Sequence, residues 1–114
     1  MSTPLELVEH QLAAYNDRNL ERFLEVFSDD IEVTRLPDTV PAIVGKAALA
    51  KFYAENRFNL TNLHAEIVNR IVMGSKIVDH ERITGINPEP IEIIVTYAIE
   101  GGEIRRMWSL TPEG

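Results

Sequence analysis

The chain has 114 residues, 45% hydrophobic and 25% charged, which suits one globular domain with a single core and is too short for two. Its formal charge of −7, with the basic residues scattered, excludes a general nucleic-acid binder, because phosphate recognition needs a basic stripe. The absence of cysteine excludes disulfides, thiolate catalysis and cysteine metal sites.

A cytoplasmic setting is expected from the lack of cysteine and of a basic, then apolar, leader at the N-terminus. No window has the apolar length to span a membrane, so no membrane partner is expected. At the start of the chain, Thr3 can serve as N-cap, Pro4 suits the first helical position and Glu6 completes a capping box. Leu5, Val8, Leu12 and Tyr15 then recur at spacings of three and four, the apolar face of a first helix. "NDRN" breaks it, and Asn19 caps a second, shorter helix whose Leu20, Phe23, Leu24 and Phe27 share a stripe. "SDD", residues 28–30, is expected to end that helix. A short strand "IEVTRL" follows, with Ile31, Val33 and Arg35 on one face by the period of two. Residues 37–45 read as a proline-punctuated loop, and 46–56 as a third helix burying Leu49, Phe52 and Tyr53.

From His64 the pattern changes to strands. "HAEIVNRIVM" ends at a Gly74-Ser75 turn, "KIVDHERITG" and "IEIIVTYAIE" follow, and Gly101-Gly102 makes a hairpin into "EIRRMWSL". Three helices around one short strand, then four strands in an antiparallel meander, give an α+β fold with helices on one face of a curved sheet. In "IEIIVTYAIE" both faces are apolar: Ile91, Ile93, Val95, Tyr97 and Ile99 on one, Ile94 and Ala98 on the other. An antiparallel strand with one wet face should alternate cleanly. The helices cover one face, and the outer face is expected to meet a second copy of the chain as a homodimer, with a covering loop or tail as the alternative.

The order helix, helix, "FSDDIEV", proline-rich loop, "GKAALAKFY", then strands carrying "VDHERITG" and "GGEIRRMW" resembles the nuclear transport factor 2-like superfamily. More narrowly it is similar to SnoaL-like and ketosteroid-isomerase-like proteins, over the whole chain, 1–114. The resemblance implies a cone-shaped α+β barrel: three N-terminal helices packed on a curved, mostly antiparallel sheet, enclosing an apolar pocket. It implies no particular reaction, since the family includes isomerases, cyclases, hydrolases, dehydratases and members without chemistry. Carried over position by position, the isomerase base falls on Arg35, the oxyanion tyrosine on Gln11 with Tyr15 one turn further on, and the oxyanion aspartate on Ile94. All three departures count against steroid isomerisation by the usual route.

The family register places Val78, His80 and Arg82 toward the pocket and Asp79 and Glu81 on the outer side; a register shifted by one exchanges the two sets. His80, with an ordinary pKa near neutrality, is then a candidate acid/base, with Asp38 as its partner or as the base itself. The plain alternative is a wall histidine without chemistry. Arg35 is expected inward at the cone's mouth, either paired with Asp38 or Glu32 or recognising an anionic ligand together with Arg82. Tyr15 is a candidate ligand donor, and Trp108 is either pocket wall or dimer contact. His10, His64 and His80 lack ligand spacing, and no dinucleotide or phosphate-loop motif occurs, so no metal or cofactor is expected. The expected function is binding of a small apolar or anionic molecule, with cofactor-free isomerisation, cyclisation or dehydration as its chemistry. The alternative is a non-catalytic ligand-binding or dimerisation domain.

Overall fold

The capping box forms as the sequence requires: the Thr3 hydroxyl accepts the Glu6 amide at 3.1 Å and the Thr3 amide donates to the Glu6 carboxylate at 2.8 Å. It opens α1 (Pro4–Asn16) in a computed structural model that describes residues 2–113. Asn19 accepts the Arg22 amide at 3.1 Å and starts α2 (Leu20–Leu24). The remaining elements are β1 (Phe27–Arg35), β2 (Ile43–Val44), α3 (Lys46–Asn56), β3 (His64–Met73), β4 (Lys76–Thr84), β5 (Ile91–Glu100) and β6 (Glu103–Leu110).

The strands form one sheet in the order β2-β1-β6-β5-β4-β3. β3 to β6 make the expected antiparallel meander, while β1 joins β6 in parallel and carries β2 antiparallel on its other edge. The sheet is curved and unclosed, and the three helices pack on one face. Two boundaries differ from expectation. "SDD" lies inside β1, which begins at Phe27, and a two-residue strand sits in the expected loop. Phe27 fits either element: its ring packs on Phe23 at 4.9 Å from the strand, as it would have from the helix stripe.

The core lies between helices and sheet. An aromatic group of Tyr15, Phe23, Tyr53 and Phe58 holds α1, α2 and α3 together, with Phe23 and Tyr53 centred 4.6 Å apart. Asn16 then fixes α1 to the sheet: its amide donates to the Ala65 carbonyl at 3.1 Å and its oxygen accepts the Ala65 amide at 2.7 Å. Because Asn16 satisfies both backbone groups of one residue on β3, the end of α1 has little freedom to slide along the sheet. No helix among the described residues is long and apolar enough to cross a membrane.

β4 is followed by Gly85, whose φ of +93° belongs to glycine and whose missing Cβ leaves room for the Asn62–Leu63 backbone. A Cβ there would collide with the Asn62 carbonyl, a group that cannot rotate away. Gly85→Ala is therefore expected to lose about 2 kcal/mol or more of stability, measured by urea denaturation. Gly74→Ala, at φ +57° with nothing within reach of a Cβ, is expected to lose less.

Candidate functional site

A cavity of about 110 Å³ lies between the helices and the concave face of the sheet. α1 contributes Gln11 and Tyr15, α3 contributes Phe52 and Tyr53, and Arg57 follows at the end of α3. From the sheet come Val33 and Arg35 of β1, Glu81 and Ile83 of β4, Val95 and Tyr97 of β5, and Met107 of β6. The wall is mostly aliphatic and aromatic, with Glu81 as its single carboxyl group and Arg35 and Arg57 as its two cations.

Glu81 is placed there by the alternation of β4. Ile77, Asp79, Glu81 and Ile83 all face inward and are buried, while Lys76, Val78, His80, Arg82 and Thr84 face outward. Asp79 is fully buried, and Arg70 on the neighbouring strand meets it with two hydrogen bonds of 2.6 and 2.9 Å. Glu81, 6% exposed, has no cation within ion-pair distance among the described residues. Its one direct partner is the Tyr97 hydroxyl, which donates to it at 3.3 Å and accepts from the Gln11 amide at 3.0 Å.

Burial pushes the Glu81 carboxyl up from its ordinary 4.5 to about 7, and the neighbouring Asp79 charge adds to the rise. The Tyr97 hydrogen bond and the more distant Arg70 charge offset part of it. Burial holds the Tyr15 and Tyr97 phenols above their ordinary range, so both remain protonated donors at neutral pH. Glu81 is thus a carboxyl that can take up and return a proton near neutrality, beside phenolic donors and below two guanidinium groups.

The structure reverses the expected faces of β4. His80 and Arg82 lie on the outer side. His80 meets Glu92 at 2.7 Å in a depression of about 190 Å³ shared with Ile94 and Leu110, and Arg82 is exposed opposite Glu66 and Glu92. The sequence held the signal: Ile77 and Ile83 share the parity of Asp79 and Glu81, so the apolar ends of the strand mark the inward set. Asp38 is exposed on the β1–β2 connection, so the expected meeting of His80, Asp38 and Arg35 across the cone does not occur. Trp108 sits on the outer face opposite Thr96 and does not line the cavity. Tyr15 and Arg35 do line it. Arg35 lies over the Phe52 ring and makes no ion pair with Asp38 or Glu32. Sequence reasoning missed Glu81, Tyr97, Gln11 and Arg57 as a group, because they come from four elements whose packing no local pattern encodes. Among the described residues no three His, Asp or Glu side chains gather as a metal site.

Carboxyl-resolved NMR is expected to give Glu81 a midpoint near 7, rising further in Tyr97→Phe as the lowering hydrogen bond goes. Stability follows by linkage. The folded state holds this proton to about pH 7 and the unfolded chain releases it near 4.5, so stability falls as pH rises through that window. Glu81→Gln is expected to be the more stable protein above pH 7, by roughly 2–3 kcal/mol, and to match wild type near pH 4 in denaturant titrations.

A sequence profile of the SnoaL-like domain matches residues 8–107. No curated protein matches the sequence. Solved structures share the fold at low identity. A cystatin-fold protein of Novosphingobium aromaticivorans superposes with a TM-score of 0.84 at 22% identity, over 96% of this chain and 98% of that one. A Catenulispora acidiphila protein with a ketosteroid isomerase-like fold, solved with trimethylamine, gives 0.74 at 19%, over 95% and 85%. A computationally designed 17-OHP binder gives 0.81 at 14%, over 95% and 91%. Since the profile runs from within the first helix to within the last strand and takes in all the cavity-lining residues except Ser109, the chain belongs to the SnoaL-like domain family.

Proposed function

We propose that the chain binds a small, largely apolar molecule in the cavity between helices and sheet and carries out cofactor-free proton transfer on it, as an isomerase, cyclase or dehydratase would. The observation that carries this reading is Glu81: one buried carboxyl, without an ion pair among the described residues and poised near neutrality, in a mostly aliphatic and aromatic chamber. Glu81 is the acid/base group. Tyr15 supplies a hydrogen bond to oxyanion charge, and Tyr97, held by Gln11, orients the Glu81 carboxyl. The designed 17-OHP binder supports a ligand seat in a fold of this kind. At about 110 Å³ the cavity suits a single small ring or a short chain rather than a drug-sized ligand, which needs about 300 Å³ or more. A cytoplasmic setting belongs to the same reading.

The test is solvent deuterium incorporation into small enolisable ketones and acids, followed by NMR. Wild type is expected to catalyse exchange, and Glu81→Gln to lower the rate by about 10²-fold or more. Loss of exchange in Asp38→Asn or His80→Ala, with Glu81→Gln unaffected, overturns the assignment and moves the chemistry to the mouth or the outer face. A second reading, ligand binding without catalysis, is favoured by the isomerase base position being Arg35, which cannot act as a base at neutral pH. Saturable ligand binding with no exchange in any variant supports it.

The reading also includes a homodimer through the outer sheet face. Ile71, Val78, Thr96 and Trp108 lie opposite one another across β3 to β6. Ile71 is 62% exposed and Met73 70%, with Ile94 and Leu110 also exposed, so the apolar area on this side is more than scattered surface residues. Sedimentation is expected to give twice the chain mass, and Ile71→Glu to give a folded monomer.

A further inference from the structure

Arg35 and Arg57 end different elements, β1 and α3, yet converge on one ring. Each guanidinium carbon lies 5.2 Å from the centre of Phe52, within the range where a cation is attracted to an aromatic face. Both line the cavity that Glu81 lines. Among the described residues neither has a carboxylate within ion-pair distance, in a chain with 18 acidic residues whose Arg70 and Arg105 each have two. Arg57 spends one donor on the Asn56 carbonyl at 2.8 Å. Its guanidinium also acts on the Tyr15 hydroxyl, and neither fork is matched by a carboxylate, at the edge of a chamber whose walls are mostly aliphatic and aromatic.

We infer that Arg35 and Arg57 are the seat of a ligand carboxylate, so that the cavity selects small monocarboxylates with an apolar body. This rests on the cavity being the ligand site. Three features argue for a carboxylate over a neutral ligand or a bare inorganic anion. Planar guanidinium forks match the two oxygens of a carboxylate in direction as well as charge. Val33, Ile83, Val95 and Met107 line the interior and offer an anion nothing but aliphatic contact, so the remainder of the ligand is apolar. The local charge is opposite to that of the whole molecule: two cations and one acid line the cavity of a protein with formal charge −7. The pair therefore concentrates an anion at a place the global field disfavours. Phe52 holds the two like charges in place without neutralising them, which a carboxylate partner from the protein would do.

Calorimetry with benzoate, benzamide and inorganic phosphate tests this. Wild type is expected to bind benzoate about tenfold or more tightly than benzamide, and phosphate more weakly than benzoate. Arg35→Gln and Arg57→Gln are each expected to remove most of the benzoate preference, weakening benzoate far more than benzamide. Arg57→Lys keeps the charge but not the fork and is expected to fall between. Equal binding of benzoate and benzamide, binding of neither at millimolar concentration, phosphate matching benzoate, or a preference that survives both glutamine variants overturns the assignment. Glu81→Gln separates this from the acid/base reading. Benzoate preference retained without Glu81-dependent exchange leaves the carboxylate seat standing and removes the catalysis. Glu81-dependent exchange without benzoate preference does the reverse.

Discussion

The pairing of Asp79 with Arg70 sets the terms for the rest of the molecule. A fully buried carboxylate is tolerated only when its charge is matched and its oxygens are hydrogen-bonded, and Arg70 supplies both through two short bonds from the adjacent strand. That cation is then spent. Glu81, two residues along on the same face, feels Arg70 only at a distance and feels Asp79 as a neighbouring like charge. The same strand face thus carries one acid matched by a guanidinium and one whose proton is contested. A single guanidinium serving two buried carboxyls in sequence is enough to make them chemically different.

The direct hydrogen-bond contacts of Glu81 add constraint without adding a cation. Tyr97 gives a hydrogen bond and is itself held by Gln11, so the carboxyl has an orientation before any ligand arrives. α1, which carries Gln11 and Tyr15, is fixed to β3 by the paired bonds of Asn16 with Ala65. The parallel contact of β1 with β6 carries Val33 and Arg35 to the cavity's edge beside Met107 and Ser109. The chamber is a by-product of covering a curved, unclosed sheet with helices on one side only, and its polar groups other than Arg57, which caps α3, stand on helices and strands rather than loops.

Local chemistry was readable and long-range parity was not. Thr3, Pro4, Glu6 and Asn19 announce helix starts because caps act within three residues, and Gly101-Gly102 announces a hairpin for the same reason. Phe27 reads as part of the second helix's stripe but starts β1, since its contact with Phe23 is reached from either. The face of β4 departs from the family register because Ile77 and Ile83, whose shared parity marks the buried side, carry Asp79 and Glu81 inward with them. The pairs that define the site, Gln11 with Tyr97 and Arg35 with Phe52, are separated by 86 and 17 positions, and no sequence period links them.

The departures from the isomerase pattern then have a common physical sense. At the end of β1 a carboxylate would be a base near the mouth, moderately solvated. Arg35 stands there instead, and a guanidinium can recognise charge but cannot accept a proton. A proton acceptor has to come from elsewhere, and β4 offers it deeper in the chamber, where burial raises the carboxyl toward neutrality with only the distant Arg70 charge to offset it. Such a placement costs stability above neutral pH, a cost that a glutamine or a leucine at position 81 would not incur. An acid retained under those terms, with two unmatched guanidinium groups on the same cavity, divides the labour of the site: charge recognition at the edge, proton exchange at the floor.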